Sequence, residues 1–474
     1  MMTLLNGCDD DFMFSAKIKT ANGITTVSNF KTGYLDNALL ADALLIKKLA
    51  INDTINARDF KFMRDNMPNL KSLDLSNAVI AEYRGYEGTG GNLVYYYNAG
   101  CIPEYAFYNP EKPKGNQTFK TIIFPENLKS IKNYAFTKCG LSGQLTFPAS
   151  LRDTIGISAF AYCENLTGID FAATSFIGTS AFQSCSGLTG DIVLPDSVFT
   201  VKSWAFADCK NVNSVSIPST LNEIESTAFC GCGGLFSVNT ENQTYSAKDG
   251  VLYSYDETTL YQCPVSKTGI LEVPSNIMSI ATYAFANCTK LTNVILPSDL
   301  WFVEDNAFYG CTGLTGNFLI PASLFYIGLN VFEDCNNIQG FTIADNNTTF
   351  TFSDGVLTDI SQMTIKRCLT SKTGEYVIPS DIMFIDNSAF SNCVNLTSLT
   401  IPESVLSLGK RAFFNCTGLT DIYVKSSVPI DMTDTGSAFE LVNKDACTLH
   451  VPAGSVSAYL NAYVWNEFGN ITEN

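Results

Sequence analysis

The sequence predicts an α/β repeat solenoid that is rich in strands, contains little helix and is capped at both ends. A motif of the form AFxxCxxLxxIxIPxxVxxI recurs along the chain, and most intervals between its phenylalanines are 22 to 24 residues. The Ile-x-Ile alternation gives each unit one short strand with its aliphatic side chains inward. The chain has 474 residues, more than one ordinary domain. The size limit of a single core does not apply to a stack of repeats, because each repeat contacts only its neighbours.

The marker of each unit is a phenylalanine that follows a small residue. It stands at positions 107, 136, 160, 182, 206, 229, 285, 308, 332, 390, 413 and 439. A period of roughly 20–29 residues with LxxIxI spacing is typical of a leucine-rich-repeat coil, which we expect to be right-handed. Proline ends each strand because it lacks an N–H donor. The small residue lets the chain turn, and we expect the phenylalanine to fill the space between coils.

Three units carry a glycine and one added residue before the proline. They read "LSGQLTFP", "LTGDIVLP" and "LTGNFLIP". A glycine with an extra residue inside a strand predicts a β-bulge, which is a tolerated local irregularity of the ladder.

Two intervals of 56 and 58 residues predict inserts at about 242–273 and 347–378. Asn242–Ile280 and Asn347–Ile385 align without gaps, with 17 of 39 positions identical. Each contains an Asp-Gly pair between apolar runs, Asp249-Gly250 and Asp354-Gly355. Because Asp-Gly suits the tight turns of hairpins, each insert is predicted to add a hairpin and a strand before the stack resumes.

Ten cysteines stand three residues after the marker phenylalanine. They are Cys139, Cys163, Cys185, Cys209, Cys232, Cys288, Cys311, Cys335, Cys393 and Cys416. We expect free, buried thiols that face a turn carbonyl. Disulfides are the alternative, because neighbouring coils lie about 4.8 Å apart. Cys230 and Cys232 have C-x-C spacing without a second pair or a histidine nearby, so no metal site is predicted.

Composition excludes several classes of function. A net charge of −17 disfavours nucleic acid, whose phosphates need a basic surface. No apolar run is long enough to span a membrane. Most nucleophile–base pairs and most zinc sites use histidine, and this chain has only one, His450. We expect His450 to be a surface or cap residue. We therefore predict a non-enzymatic protein with no catalytic residue, cofactor or metal.

Residues 12–105 are interpreted as an N-terminal cap with irregular first repeats. An amphipathic helix is expected to bury Phe60, Met63 and Met67. A Gly/Tyr-rich loop, Glu82 to Gly100, follows and contains three consecutive tyrosines. They could stack on a sugar, and the alternative is that they pack on the first coils.

Residues 441–474 are interpreted as a C-terminal cap. Ser455 is the expected N-cap of a short helix. Val456, Tyr459, Leu460 and Tyr463 are expected to form its buried stripe.

The start of the sequence, "LLNGCDDD", suggests lipidation. Leu5, Gly7 and Cys8 fit a lipoprotein cleavage site, where Cys8 would carry the lipid and residues 1–11 would form a lipoprotein-like tail. Only seven residues precede Cys8, which is too few for a signal peptide, so either the start is truncated or the match is a chance one.

A ligand-binding surface is predicted on the second strand of each coil. Two residues separate the inward-facing pair there, and both should face solvent. Stacking would place equivalent residues side by side as an apolar ridge, a feature that often marks an interaction site. The candidate residues are Phe199, Met278, Trp301, Phe302, Phe325, Tyr326, Met383 and Phe384. The alternatives are that the ridge packs beneath the inserts, seals a lateral edge of the coil or contacts a second copy of the chain.

The repeated AFxxCxxLxxIxIP units, the "DGVLY…CP…KTG" insert and the "VPAGSVSAYLNA" segment together resemble the BspA-like leucine-rich-repeat family of bacterial cell-surface proteins. The resemblance extends from about residue 45 to the end. Within it, residues 106–440 are interpreted as the leucine-rich-repeat solenoid with the two inserts. It implies a cell-surface or extracellular binding and adhesion protein, or an outer-membrane lipoprotein if Cys8 is lipidated. Its partners would be proteins, such as host extracellular matrix or other bacterial surfaces. A glycan-binding or glycan-processing protein is the alternative, and an intracellular scaffold is a third.

Overall fold

The computed structural model describes residues 16–90, 94–433 and 436–474. The chain divides into two units, Met1–Phe229 and Cys230–Asn474. Both are built from short strands that recur with the period of the sequence motif, so the predicted strand-rich solenoid with little helix is confirmed. The helices of the described residues are α1, Leu35–Leu39, α2, Ala57–Asn66, α3, Val456–Leu460, and a 3-10 turn, Trp465–Glu467. None of these helices is long and apolar enough to cross a membrane.

Each regular coil contributes a first strand, which carries the Ile-x-Ile pattern, and a two-residue second strand after the proline. In the first unit the first-strand series is Lys17–Ala21, Ile24–Ser28, Lys48–Ile51, Ser72–Asp74, Thr121–Ile123, Ser142–Thr146, Asn165–Asp170, Ile192–Val193 and Ser214–Ile217. The second-strand series is Thr54–Ile55, Val79–Ile80, Cys101–Ile102, Ser130–Ile131, Thr154–Ile155, Phe176–Ile177, Thr200–Val201 and Glu223–Ile224. Two small antiparallel pairs complete the unit, Tyr83–Gly85 with Tyr95–Tyr97 and Tyr108–Asn109 with Lys114–Gly115.

The second unit repeats this organisation. Its first strands are Leu235–Val238, Gly269–Glu272, Leu291–Ile295, Gly316–Ile320, Ile338–Ile343, Gly374–Val377, Leu396–Ile401, Asp421–Val424, Thr448–Val451 and Asn470–Glu473. Its second strands are Ser279–Ile280, Phe302–Val303, Tyr326–Ile327, Phe384–Ile385 and Ser407–Leu408. The insert strands are Tyr245–Lys248, Val251–Ser254 and Thr259–Gln262, then Phe350–Ser353, Val356–Asp359 and Thr364–Cys368.

The marker phenylalanines form stacked columns inside each unit. Phe160 is fully buried, and its ring centroid lies 5.1 Å from that of Phe136 and 5.3 Å from that of Phe182, with the ring planes nearly parallel. In the second unit, Phe308 lies 4.8 Å from Phe285 in the same arrangement. The expectation that this residue fills the space between coils is confirmed.

The described cysteines are all buried and none is in a disulfide, as expected for thiols that line the turn. Seven of these thiols donate to the carbonyl of the marker phenylalanine one coil earlier. After the inserts, Cys288 and Cys393 instead donate to carbonyls at the end of the third insert strand, at Cys263 and Leu369 among others. The Sγ of Cys163 lies 3.1 Å from the oxygen of Phe136, and that of Cys311 lies 3.0 Å from the oxygen of Phe285. The cysteine is therefore a small apolar residue whose weak donor satisfies a buried carbonyl.

The turn around the marker contains two left-handed residues per coil, which the sequence pattern did not predict. Tyr134 and Lys138 have φ of 57° and 56°. This backbone lets Phe136 donate to the carbonyl of Ala159 in the next coil at 2.8 Å. The turns thereby form a third series of hydrogen bonds between coils. Left-handed φ also explains why Asn, Asp, Ser and Gly are frequent at the residue before the cysteine.

The predicted bulges occur at two of the three glycines. The strand register shifts at Gly143 and Gly316, which both have φ of 79°. Gly190 lies outside the short strand Ile192–Val193, which pairs without a shift. Similar shifts occur at Gly269 and Gly374, so the glycine of each "SKTG" segment begins a bulged strand.

Each insert forms an antiparallel hairpin followed by a strand that rejoins the stack. Asp249 and Gly250, with φ of 50° and 75°, connect two strands in a register that pairs Lys248 with Val251. These angles match the tight turn favoured between twisted strands. The third insert strand then pairs in parallel with the next second strand, with Thr259 opposite Ser279.

The helix expected near the N-terminus is present. Phe60, Met63 and Met67 are buried, and Asn56 and Asp59 form a capping box at the start of α2.

The C-terminal helix α3 differs from the prediction. Ser455 precedes it, but its hydroxyl donates to the carbonyl of Pro452 instead of capping a helical N–H. Tyr459 is buried, whereas Leu460 and Tyr463 are each 53% exposed. The expected stripe is incomplete because the helix has only five residues, and the next large buried side chain beyond it is Trp465.

Candidate functional site

The second strands of the second unit present pairs of side chains outward. After Pro297 a turn brings the amide of Leu300 to 3.3 Å from the proline carbonyl, and Leu300 is buried. The next inward residue is Val303, also buried. The two residues between them, Trp301 and Phe302, therefore face solvent.

Neighbouring coils align these outward residues. Phe302 pairs with Tyr326 in the parallel ladder, and Phe325 donates its amide to the carbonyl of Trp301. The exposed fractions are 47% for Trp301 and Phe325, 36% for Phe302 and 37% for Tyr326. The rings of Phe302 and Phe325 meet edge to face with centroids 4.7 Å apart. We call Trp301, Phe302, Phe325 and Tyr326 the aromatic patch.

The predicted ridge is not continuous. Met278 and Met383 are only half-buried instead of open to solvent, and Ser279 and Ser407 occupy positions equivalent to Phe302 and Phe384. Phe384 is 40% exposed but belongs to a different sheet from the aromatic patch. The strands of the second insert come between Tyr326–Ile327 and Phe384–Ile385 in the sequence, so the insert separates Phe384 from the aromatic patch.

An open cleft of about 570 Å³ lies at this interruption. Tyr326 and Phe384 both line it, together with Lys366 and Asp386. The ammonium of Lys366 lies 2.5 Å from a carboxylate oxygen of Asp386, and their side chains are 6% and 12% exposed. Burial raises the pKa of Asp386, and the charge of Lys366 opposes that shift. The ion pair thus gives the cleft a polar, fixed surface between aromatic side chains.

Phe199 belongs to the first unit, where the outward row is mostly polar. It is 48% exposed, and the equivalent residues of the neighbouring coils are the polar Ser175 and Asn222. At the next strand position, Phe176 pairs with Thr154 and Thr200. The ammonium of Lys202 lies 6.0 Å from the ring centre of Phe176. Phe176 was missed as an outward aromatic residue, although its place directly before the inward Ile177 was a readable signal.

The three consecutive tyrosines form one strand of a small hairpin. Tyr97 is buried, and its hydroxyl accepts a hydrogen bond from the amide of Gly90 at 2.8 Å. Tyr96 is 64% exposed, and its hydroxyl donates to Glu82. Packing therefore accounts for Tyr97, while Tyr96 lies on the surface.

His450 lies on a strand and is held by its neighbours. Its Nε2 is 2.8 Å from Asp421, its Nδ1 is 3.2 Å from the hydroxyl of Thr472, and its ring stacks on Tyr423. The hydrogen bond to His450 lowers the pKa of Asp421. In the described part of the chain, no group of three His, Cys, Asp or Glu residues is placed to hold a metal ion. Cys8 lies outside the described residues.

The geometry of the repeat agrees with a family match. The model of the BspA type leucine rich repeat region matches residues 92–190, 175–270, 256–371 and 358–439. The chain belongs to this family. The BspA-type repeats thus extend over most of the sequence, including both inserts. Among curated proteins, none matches the sequence significantly.

The chain is also similar to solved structures of leucine-rich repeat proteins from bacteria. A leucine-rich repeat protein from Eubacterium ventriosum is 19% identical, with 86% of this chain and 88% of that chain covered and a TM-score of 0.40. A leucine rich cell surface protein from Faecalibacterium prausnitzii is 19% identical, with 89% and 95% covered and a TM-score of 0.46. A leucine-rich repeat protein from Bacteroides ovatus is 17% identical, with 97% and 98% covered and a TM-score of 0.38.

Proposed function

We propose that this BspA-type protein is a non-enzymatic binding protein of the bacterial cell surface, and that its aromatic patch binds a protein ligand in adhesion. The observation that carries the proposal is the exposure of Trp301, Phe302, Phe325 and Tyr326 on adjacent strands. Membership of a family of repeat proteins supports a binding role. Host extracellular matrix and other bacterial surfaces are the proposed partners.

The patch has the properties of an interaction site. Large side chains that remain exposed on a solenoid cost hydrophobic free energy, so a contiguous group of them calls for a partner. Tryptophan and tyrosine are also the residues that most often dominate binding energy at interfaces. Their strand backbone is fixed by the ladder on which they lie, which reduces the ordering cost of association.

The test is the double substitution Trp301→Ser, Phe325→Ser, with Leu406→Ser as the matched control. Leu406 takes the same strand position, is 58% exposed and lies outside the patch. We expect the double variant to lose at least about tenfold in affinity, equivalent to 1.4 kcal/mol, for individual purified matrix proteins immobilised on a sensor. The control should bind as the parent does, and both variants should melt within a few degrees of it.

Two results would refute the proposal. If the double variant binds as the parent does, the patch is not the site. If it melts far below the parent yet still binds in the cold, the patch is part of the core. A glycan array run with the same variants examines the alternative ligand class, and binding there that depends on Trp301 would replace the protein ligand with a glycan.

We also propose that Cys8 anchors the protein through a lipid, on the strength of the "LLNGC" motif. The expected result is a diacylglycerol-modified Cys8 peptide in the mass spectrum of protein extracted from its native membrane. An unmodified peptide that includes Met1 would contradict the anchor and leave the binding proposal to stand on the patch alone.

A further inference from the structure

The cleft between Tyr326 and Phe384 lies beside an incomplete sheet edge. The strand Tyr326–Ile327 pairs on one side with Phe302–Val303, and within the described residues no strand pairs with its other side. In a parallel ladder the backbone groups of alternate residues point to opposite neighbours. The amides of Tyr326 and Gly328 donate to the carbonyls of Trp301 and Val303 in the preceding coil. The N–H and C=O of Ile327 therefore point toward the cleft.

The far wall of the cleft cannot complete this edge. The insert strand Thr364–Cys368 pairs on one side with Val356–Asp359 and on the other with Phe384–Ile385. Both of its edges are therefore occupied. The insert places a hairpin, with Val356 and Leu357 buried, where a regular coil would continue the ladder. An unpaired strand edge next to an open cleft is a template for a further strand.

Around Tyr326, the carboxylates of Asp305, Asp386 and Glu304 outnumber the ammonium of Lys366 on the cleft wall. Asp386 is paired with Lys366, the cationic residue among those described along the cleft. Asp305 accepts the amide of Leu329 at 2.8 Å, which places its carboxylate beside the same wall. The pKa of Tyr326 is raised by burial first, and then by the carboxylates of Asp305, Asp386 and Glu304. A ligand with positive charge is therefore favoured over a neutral or acidic one.

We propose that this cleft binds an extended, lysine- or arginine-containing segment of a protein partner, which adds as a strand to the edge at Tyr326–Ile327. Its backbone would satisfy the N–H and C=O of Ile327, and its basic side chains would lie along Tyr326 and Phe384 near the carboxylates. Aromatic faces attract such cations. This inference deepens the proposed function, because it assigns a peptide chemistry to the cleft next to the aromatic patch.

The test is a fluorescence-anisotropy titration of the full chain with a labelled eight-residue peptide of alternating lysine and valine. Two peptides serve as controls, one with glutamate in place of lysine and one with alternate backbone nitrogens methylated. Two protein variants form a matched pair. Ser407→Trp narrows the cleft, which Ser407 lines, and Ser279→Trp places the same side chain at the equivalent strand position, where Ser279 is not part of the cleft.

We expect saturable binding of the lysine peptide that weakens at least about tenfold, or 1.4 kcal/mol, with either control peptide and with Ser407→Trp, while Ser279→Trp binds as the parent does. Equal binding of the methylated peptide would overturn strand addition, and equal binding of the glutamate peptide would overturn the charge argument. Absence of saturable binding, or displacement of the peptide by a neutral oligosaccharide alone, would overturn the assignment of a peptide ligand. Because the probe is synthetic, failure of the aromatic-patch experiment leaves this measurement interpretable.

Discussion

Replacing Phe308 by alanine is expected to lower the free energy of unfolding by about 3–5 kcal/mol, the usual cost of removing a buried phenylalanine. Phe308 is fully buried and stacks on Phe285 at 4.8 Å and on Phe332 at 5.8 Å. It also meets Phe318 edge to face at 5.3 Å. The substitution therefore leaves a cavity in the column and removes three ring contacts at once.

The measurement is urea unfolding of the full chain followed by circular dichroism, with Phe325→Ala as the control. Phe325 lies on the following coil but is 47% exposed, so its loss should cost less than about 1 kcal/mol. Because each coil of a solenoid contacts only its neighbours, the Phe308 variant should also separate the transition into two steps. A loss below about 1 kcal/mol for Phe308→Ala would mean that the column does not hold the coils together.

The period and the cysteine column could be predicted because they depend on contacts between equivalent residues of adjacent coils. Each coil must place Ala, Phe and Cys at the same points to continue the stack. The sequence therefore repeats these residues, and the structure buries Phe160 and Cys163 as expected. The hairpin turn at Asp249-Gly250 was readable for a local reason, because only a few residue pairs adopt its backbone angles.

In most turns, Asn, Asp, Ser or Gly before the cysteine is a signal for one left-handed residue, but the left-handed residues with bulky side chains were not predictable from residue type. Tyr134, Lys138 and Tyr162 adopt φ between 56° and 60°, although bulky side chains rarely do so. The hydrogen bonds between successive turns compensate for this local cost, and they appear only when the coils are stacked. Tertiary contacts of this kind have no signature in a single unit.

The interruption of the apolar ridge could also not be predicted from the sequence. Tyr326 and Phe384 hold equivalent positions in their coils, so a regular stack would align them. Whether the second insert continues or breaks the ladder depends on the direction in which its hairpin packs. Val356 and Leu357 of this hairpin are apolar and buried, and the edge of Tyr326–Ile327 is unpaired among the described strands.

The buried thiols are expected to make the folded chain sensitive to alkali, and three thiols of the first unit illustrate the effect. Burial raises the pKa of Cys139 to about 12 and holds the pKa values of Cys163 and Cys185 well above the ordinary value. In the unfolded chain a cysteine titrates near about 8.5. Above that pH the unfolded state loses protons that the folded state keeps, so stability falls as pH rises. The contribution is fully present below about pH 8.5 and is lost progressively toward the folded pKa values.

Each thiol should reduce the free energy of unfolding by about 1.4 kcal/mol per pH unit above about pH 8.5, so three of them remove roughly 6 kcal/mol by pH 10. That is comparable with the whole stability of an ordinary domain, about 5–15 kcal/mol. The check is urea unfolding at several pH values between 8 and 10 with a reductant present, for the parent and for Cys163→Ala. The variant should be less stable at every pH because it loses packing. Its free energy of unfolding should fall less steeply with pH, because unfolding releases one proton fewer. Identical slopes would show that Cys163 does not keep its proton in the folded state, and a flat profile for the parent would remove the argument for the whole column.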